Sequence, residues 1–295
     1  MALRRPKNPT TIEVKCRAKV NLYLRVLGRR ADGYHDIVTI YHAIELHDLL
    51  RLKKRDAGIV VTCSHPDVPT DESNLAFRAA SRLLASSGGG IEIEIEKSIP
   101  VAAGLGGGSA DAAGTLVGLN RLLDLGLSDE VIGSLASEIG ADVRFMIRGG
   151  CAVGKGRGDE LSFLKPLSGI PVLLALPDLN ISTSWAYESV KIGLTTRRVN
   201  LSMIAKALEK GQVCALGDLL HNDFESVVFE KHPIVRQVKH WISESGACAA
   251  LMSGSGPVVF GIFDKEGDAD RAKRFLEARG LRVIDTSFAA NGVTA

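Results

Sequence analysis

The sequence has few cysteines, no long apolar run and almost no excess of charge, and each of these absences excludes a class of protein. Its 36 Lys and Arg nearly balance its 34 Asp and Glu, which gives a formal net charge of +2. A dedicated nucleic-acid-binding protein normally carries a far larger basic excess, so we expect no nucleic-acid partner. No apolar run reaches the roughly 20 residues that span a membrane, and residues 1–15 are too polar for a signal peptide. We therefore expect a cytoplasmic protein without membrane attachment.

The cysteines are odd in number, far apart and never arranged as Cys-x-x-Cys. They are Cys16, Cys63, Cys151, Cys214 and Cys248. A disulfide framework or a zinc site would need clustered cysteines, so we expect five reduced, mostly buried thiols and no metal-ligating residues. Most of the histidines have no ligand spacing either, and we assign no role to His42, His47, His65, His221, His232 and His240.

What the sequence does contain is ample apolar material and a mixture of helical and strand patterns. Hydrophobic residues make up 45% of the 295 residues, which suffices for a core, and the length suits two joined domains. Helical and strand periodicities alternate along the chain and predict an α+β architecture. The composition of residues 165–169 is typical of a connection, so we place the two domains at residues 1–165 and 166–295.

Two segments alternate in the manner of a strand. Residues 91–96 alternate Ile and Glu, and residues 18–26 alternate apolar with larger polar or amphipathic side chains. Such alternation gives a strand two distinct faces. The predicted core face carries Ala18, Val20, Leu22, Leu24 and Val26, and the opposite face carries Lys19, Asn21 and Tyr23.

The glycine-rich residues 104–109 carry the strongest chemical signal. They follow the predicted strand at residues 91–96, and a helical pattern follows them. Because glycine has no Cβ, successive N–H groups of such a loop can turn towards an anion. The first turn of the helix adds free N–H groups and its positive dipole end. The loop therefore predicts a phosphate site, and the alternative is a plain flexible loop.

Better-known nucleotide motifs do not fit this chain. Residues 149–155 have the spacing of a Walker A loop, but Gly156 stands where the magnesium-binding hydroxyl belongs. Ser109 replaces the third glycine of a Gly-x-Gly-x-x-Gly fingerprint. The His-Arg-Asp and Asp-Phe-Gly sequences of protein kinases are absent from the sequence.

Two segments resemble motifs of the GHMP kinases, the superfamily that includes galactokinase, homoserine kinase and mevalonate kinase. Residues 100–110 are similar to its phosphate-binding motif, and residues 251–257 are similar to its C-terminal glycine motif. The resemblance implies a two-domain α+β fold, with a ribosomal S5 domain 2-like N-terminal lobe and a ferredoxin-like C-terminal lobe. It implies the use of ATP and Mg²⁺. The expected ATP-binding residues are Pro100, Val101, Ala102, Ala103, Gly104, Leu105, Gly106, Gly107, Gly108, Ser109 and Ala110.

The N-terminal third resembles one member of the superfamily more narrowly. This resemblance begins in residues 18–22 and 28–35 and runs through residues 74–75, the central loop and residues 140–143 to the C-terminal glycine motif at residues 251–257. It therefore covers most of the chain, and the Gly-Tyr-His segment within residues 28–35 is its most specific part. It implies ATP-dependent phosphorylation of the 2-hydroxyl of a methylerythritol unit linked to cytidine diphosphate, on the non-mevalonate route to isoprenoid precursors.

The same resemblance assigns catalytic roles to Lys19 and Asp142. A hydroxyl is a poor nucleophile at neutral pH, and a carboxylate within hydrogen-bond reach can accept its proton. Asp142 matches the family's catalytic aspartate, and Lys19 matches the lysine that holds it and offsets negative charge. Asn21 is expected to position either the substrate or Asp142. Arg144 stands where the family commonly has Pro, which leaves the backbone after Asp142 less restricted.

The substrate contacts that the resemblance implies are mostly aromatic. Tyr34 and Tyr187 match the two faces of a sandwich around cytosine, whereas Tyr187 taken alone would be a half-buried core residue. Stacking tolerates any base, so selectivity must come from edge contacts near His35. The turn of Gly254, Ser255 and Gly256 is expected to close over the site, and its alternative is a simple hairpin turn.

Several alternatives stay open on the sequence alone. One is a GHMP kinase for another substrate, such as homoserine, mevalonate or a sugar. Another is an RNA-binding protein without catalysis, since the N-terminal lobe of the superfamily resembles ribosomal folds, although the balanced charge disfavours it. Ser109 is either a contact to phosphate or metal or a helix cap. We expect a small molecule and ATP as ligands of a monomer or weak homodimer.

Overall fold

A computed structural model describes residues 10–190, 192 and 201–295. Residues 1–9, which begin the polar N-terminal segment discussed above, lie outside the described residues, as do residues 191 and 193–200. Within the described ranges, none of the helices combines the length and the apolar character that crossing a bilayer requires.

Strands and helices alternate along the chain, which confirms the α+β prediction. The strands are β1 (Thr11–Arg29), β2 (His35–Arg55), β3 (Gly58–Cys63), β4 (Gly90–Glu96), β5 (Cys151–Lys155), β6 (Glu160–Leu164), β7 (Pro171–Leu176), β8 (His221–Asn222), β9 (Ala249–Met252), β10 (Val259–Ile262), β11 (Arg282–Ser287) and β12 (Val293–Thr294). The helices are α1 (Leu75–Ser87), α2 (Gly107–Leu122), α3 (Asp129–Ile139), α4 (Val143–Arg148), α5 (Thr183–Ser189), α6 (Leu201–Glu209), α7 (Phe224–Lys231), α8 (Pro233–Glu244) and α9 (Glu266–Glu277), with a 3₁₀ turn at Val213–Leu216.

Two sheets organise these elements. The larger has the order β12-β1-β2-β4-β3, with β5 also paired to β2 and β6, and β8 paired to β1. The smaller is antiparallel and has the order β11-β7-β10-β9. Helix α2 packs on β1 and β2, and α8 and α9 pack on the smaller sheet. Because β8 and β12 return from the second half of the chain to β1, the sheets do not divide at residue 165, and the domain boundary stays a prediction.

The side chains of β1 switch from one face of the sheet to the other in the middle of the strand. A register shift between Asn21 and Tyr23 marks a β-bulge, which reverses the alternation of side chains. Leu22 and Tyr23 lie in one core cluster, whereas Leu24 and Val26 lie in another. The predictions that Leu24 and Val26 share the face of Leu22, and that Tyr23 projects beside Asn21, are therefore wrong.

One pair of cysteines departs from the expectation of five reduced thiols. Cys214 and Cys248 form a disulfide bond, with 4.5 Å between their Cα atoms. The expectation is wrong for this pair because the 3₁₀ turn that carries Cys214 packs against the segment leading into β9, although 34 residues separate the two cysteines. Cys16, Cys63 and Cys151 are free thiols.

His42 in β2 is hydrogen-bonded to Leu167, in the segment that connects β6 to β7. Its ring is fully buried, Nε2 accepts the N–H of Leu167 at 3.0 Å, and Nδ1 donates to the carbonyl oxygen of Ala43 at 2.9 Å. This pattern requires a neutral imidazole, since Nε2 must carry a free electron pair. Burial lowers the pKa of His42 to about 4.

We expect His42 to make the protein less stable in acid. Its pKa is lower in the folded state than the ordinary 6.5 of an unfolded chain, so its contribution is complete above pH 6.5 and is lost as the pH falls towards 4. The loss reaches about 3 kcal/mol. Urea unfolding of wild type and His42→Asn checks this: the difference in unfolding free energy should shrink by that amount between pH 7 and pH 4.

The exposed His240 provides the matched control, because His240→Asn should differ from wild type by no more than about 0.5 kcal/mol throughout. A difference between wild type and His42→Asn that does not vary with pH would contradict the neutral buried histidine.

Candidate active site

A cavity of about 1020 Å³ lies between the two sheets and brings together most of the predicted site residues. Both predicted catalytic residues, Lys19 and Asp142, line it. From the predicted ATP loop it is lined by Pro100, Val101, Ala102, Ala103, Gly104, Gly106, Gly107, Gly108 and Ser109, whereas Leu105 and Ala110 are buried in the core. From the predicted substrate contacts it is lined by Asn21, Tyr34, His35, Tyr187, Gly254 and Ser255, whereas Gly256 does not line it.

The glycine loop turns into a helix earlier than the sequence predicts. Helix α2 begins at Gly107, with Gly106 as its N-cap. No side chain in the described part of the chain caps this end, and Ser109 is already the third helical residue, so the helix-cap alternative for Ser109 is wrong. The first N–H groups of α2 are therefore left for a ligand at the cavity surface, together with the positive end of the helix dipole.

Gly104 lies where the predicted ATP loop, residues 100–110 and here called the phosphate loop, touches the C-terminal glycine turn, residues 253–256. Its φ is +75°, and a Cβ at this position would lie 2.1 Å from the carbonyl oxygen of Ser253. Its own carbonyl oxygen accepts hydrogen bonds from Ser253 Oγ and Lys19 Nζ, each at 3.0 Å. Both the backbone conformation and the close approach therefore require glycine.

Lys19 is almost completely buried, and three oxygen atoms surround its ammonium group. Nζ lies 2.6 Å from Asn21 Oδ1, 3.0 Å from the Gly104 carbonyl oxygen and 3.5 Å from Asp142 Oδ2. A buried charge is stable only with such partners. The amide of Asn21 donates to Thr39 Oγ1 at 2.8 Å, which turns its oxygen towards Lys19. Asn21 thus orients Lys19.

Asp142 also accepts a hydrogen bond from Tyr41, which no sequence motif indicates. Tyr41 Oη donates to Asp142 Oδ1 at 3.0 Å, and the Asp142 side chain stays 29% exposed towards the cavity. Burial, and then the Asp142 carboxylate, raise the pKa of Tyr41 well above its usual value, so the phenol keeps its proton. Tyr41 belongs to no motif. Its only signal is its position opposite Asn21 in the β1–β2 pairing, which the sequence does not specify.

Arg144, which stands where the family commonly has Pro, points away from this cavity. Its guanidinium nitrogen lies 3.4 Å from the place of a Cβ on Gly133 of α3, and it lines a separate cavity of about 440 Å³. Asp142 keeps a helical backbone, with φ −77° and ψ −20°. The replacement therefore leaves the conformation of Asp142 regular.

Three buried ionisable side chains, Asp48, Lys97 and Asp111, hold both ends of the phosphate loop. Asp48 Oδ1 accepts the N–H groups of Ser98 at 2.7 Å and Ile99 at 2.8 Å, just before the loop. Lys97 forms ion pairs with Asp48 and with Asp111 of α2. Burial raises the pKa of Asp111 well above its usual value, and the nearby Lys97 ammonium offsets only part of this rise. Sequence patterns did not reveal this cluster because its members come from three separate elements.

The aromatic residues lie at one end of the cavity. His35 stacks on Tyr187 with 4.8 Å between ring centroids and 26° between ring planes, and Tyr187 meets Phe224 edge-on at 4.8 Å. Burial lowers the pKa of His35, which favours its neutral form. Tyr34 is 51% exposed, with the guanidinium of Arg157 at 5.1 Å from its ring centroid. Tyr187 therefore stacks on His35 rather than facing Tyr34.

Known families and structures match both halves of the chain. Residues 74–152 match the family described as "GHMP kinases N terminal domain", and residues 204–281 match "GHMP kinases C terminal". A homoserine kinase structure from Cytophaga hutchinsonii aligns with a TM-score of 0.80 over 99% of each chain, and its 21% identity shows the fold alone. Together with the glycine loop and the Lys19–Asp142 pair, these matches define a GHMP kinase.

Closer relatives identify the branch of the superfamily. A 4-diphosphocytidyl-2-C-methyl-D-erythritol kinase of Synechococcus sp. strain JA-3-3Ab is 45% identical over 94% of each chain. A crystal structure of 4-(cytidine 5'-diphospho)-2C-methyl-D-erythritol kinase aligns with a TM-score of 0.80 at 34% identity, over 94% of this chain and 99% of that chain. The chain belongs to the 4-diphosphocytidyl-2-C-methyl-D-erythritol kinase family.

We expect Gly104→Ala to lower kcat at least about tenfold. The added Cβ would meet the Ser253 carbonyl oxygen at 2.1 Å and force the glycine turn away from the phosphate loop. Gly126→Ala is the matched control, because Gly126 has a similar φ of +63° and nothing described within 4 Å. It should lose about 1 kcal/mol of stability and keep its kcat. Steady-state kinetics of ATP consumption measure both variants, and equal kcat values would contradict the contact.

We expect Tyr41→Phe to lower kcat about tenfold, because it removes one hydrogen bond to the Asp142 carboxylate and leaves the ring in place. The effect on KM should be smaller than the effect on kcat. Tyr23→Phe is the control, since Tyr23 is also a buried tyrosine but does not line the cavity. An unchanged kcat in Tyr41→Phe would show that Asp142 does not depend on this partner.

Proposed function

We propose that the chain transfers the γ-phosphoryl group of ATP to the 2-hydroxyl of 4-diphosphocytidyl-2-C-methyl-D-erythritol. The observation that carries this proposal is a single cavity that holds the Lys19–Asp142 pair, the uncapped start of α2 and the aromatic residues Tyr34, His35 and Tyr187, which we call the aromatic arm. Membership in the family supports the same reaction, since the relatives named above are kinases of this substrate.

In this reaction Asp142 acts as the base. Its carboxylate accepts the proton of the 2-hydroxyl while the oxygen forms a bond to the γ-phosphorus, and the bond to the bridging oxygen of ADP breaks. Tyr41 and Lys19 contact the two carboxylate oxygens and hold the group in place. The Lys19 charge and the N–H groups at the start of α2 offset the negative charge of the transferred group.

Mg²⁺ fits this cavity as an ion held mainly by phosphates. Across the described residues there is no group of three or more His, Cys, Asp or Glu side chains arranged to hold a metal. Mg²⁺ commonly keeps several waters and takes one or two protein ligands beside substrate phosphates. Ser109 lines the cavity at the start of α2 and is the side chain that would contact it. Bound there, the ion reduces repulsion between the phosphates and the incoming oxygen.

The aromatic arm is proposed to hold the cytidine. Tyr187 already stacks on a planar ring, that of His35, which supports its role as one face of a base site. The exposed Tyr34 is proposed as the other face and His35 as an edge contact, which requires the base to take the place of the His35 ring on Tyr187. Gly254 and Ser255 close the cavity from the second sheet. A cytoplasmic location and a monomer or weak homodimer stay predictions.

A turnover panel tests the proposed function. With ATP and Mg²⁺, we expect ADP formation with the cytidyl substrate and none with homoserine, mevalonate or galactose. Asp142→Asn should lower kcat by about 10²-fold or more, because the amide cannot accept the proton. The exposed Asp270→Asn should keep the wild-type kcat.

Two results would overturn the assignment. Turnover of homoserine or mevalonate without turnover of the cytidyl substrate would place the chain with another GHMP activity. Salt-dependent RNA binding without any kinase activity would favour the non-catalytic alternative.

A further inference from the structure

Asn222 is a buried polar residue whose side chain is bonded on every side. Only 2% of it is exposed. Its Nδ2 donates to the carbonyl oxygens of Met252 at 2.7 Å and Gly254 at 2.8 Å, and its Oδ1 accepts the N–H of Phe224 at 3.0 Å. Met252 and Gly254 flank Ser253. One amide group therefore holds the backbone on both sides of the residue with which the glycine turn touches the phosphate loop.

The backbone around Asn222 is fixed to the strand that carries Lys19. Strand β8 runs parallel to β1 and pairs Asn222 with Leu24. The next residue, Asp223, donates its N–H to the Leu24 carbonyl oxygen at 3.0 Å and accepts the N–H of Val26 at 2.8 Å. Asn222 therefore bridges β1 and the glycine turn, with its backbone on one and its side chain on the other.

The glycine turn also contacts two other parts of the cavity, the phosphate loop and the aromatic arm. Ser253 Oγ donates to the Gly104 carbonyl oxygen of the phosphate loop at 3.0 Å. Ser255 Oγ lies 3.0 Å from Thr183 Oγ1, at the start of the helix that carries Tyr187. A displacement of the turn would therefore change the placement of the phosphate loop relative to the aromatic arm. A shift of about 1 Å in such a placement can cost about 100-fold in rate.

We propose that Asn222 is a positioning residue for phosphoryl transfer, which holds the glycine turn and thereby sets the distance between the phosphate loop and the aromatic arm. It does not line the cavity and acts through the backbone that it bonds, at residues 252–254 and at Phe224. The inference rests on the proposed function, because that reaction needs the phosphate loop and the aromatic arm at the same time.

The substitution Asn222→Asp tests this role with little change of shape. It keeps the acceptor for Phe224 but places a second oxygen where the amide donated to Met252 and Gly254. We expect kcat to fall at least about tenfold and KM for the cytidyl substrate to rise. As the pH falls from 8.5 to 5.5, the introduced carboxyl takes up a proton and regains one donor. The ratio of variant to wild-type kcat should then rise.

Asn120→Asp is the matched control, because the Asn120 amide also bonds backbone on both sides. Its Nδ2 donates to the Leu127 carbonyl oxygen and its Oδ1 accepts the Leu127 N–H, each at 3.0 Å, away from the cavity. This variant should lose stability but keep the wild-type kcat per folded molecule and its pH profile. Circular dichroism gives the folded fraction for each protein. An Asn222→Asp protein that behaves like this control would overturn the positioning role.

Amide hydrogen exchange separates this inference from the proposed function. The N–H groups of Ser253 and Gly256 are hydrogen-bonded within the turn, to Val258 and Ser253 respectively. Asn222→Asp should speed their exchange and Asn120→Asp should not, and no substrate is needed for the measurement. If the wild-type protein does not turn over the cytidyl substrate, the proposed function is overturned. If amide exchange in Asn222→Asp is unchanged, the positioning role of Asn222 is overturned.

Discussion

The carbonyl oxygen of Gly104 is the atom on which the arrangement of this cavity depends. It accepts hydrogen bonds from Lys19 and from Ser253, so the catalytic strand, the phosphate loop and the C-terminal glycine turn share one acceptor. The peptide can face both donors only because Gly104 has a positive φ and no side chain. If this peptide tilted, Lys19 would lose one of its few partners while still buried, and a buried ammonium without its partners is strongly unfavourable. The contact therefore couples the geometry of the base to the closure of the cavity.

The charges around the phosphate loop show why its backbone carries so much of the proposed binding. Lys97 lies against Asp48 and Asp111, and Lys19 lies against Asp142, so both lysines nearest the loop already have carboxylate partners. The N–H groups at the start of α2 have no side-chain cap among the described residues. A site of this kind favours an anion through fixed dipoles, which need no reorganisation when charge moves during the reaction.

The sequence predicted the site residues that lie in short motifs. It failed for contacts and side-chain directions that depend on tertiary packing. Lys19 and Asp142 were found because each lies in a motif, and the structure brings them to 3.5 Å. Tyr41 was missed, since its contact with Asp142 depends on strand register. The predicted face of Tyr23 was wrong because a β-bulge adds one residue to β1 and so shifts an otherwise regular alternation. The expected sandwich of Tyr34 and Tyr187 depends on side-chain rotation, which a motif does not encode.

The return of β12 to the first sheet has a consequence for synthesis on the ribosome. Val293 pairs with Cys16 and Thr294 with Lys15, and β8 pairs with β1 from the middle of the second half. Translation delivers β1 early, but the neighbours on one side of this strand emerge only after residues 221 and 293. N-terminal domains generally fold first as a chain is made, whereas here one edge of the strand of Lys19 is completed only when residues 221–222 and 293–294 have been made. The nascent protein must therefore keep one edge of its catalytic strand unpaired until those two later segments emerge.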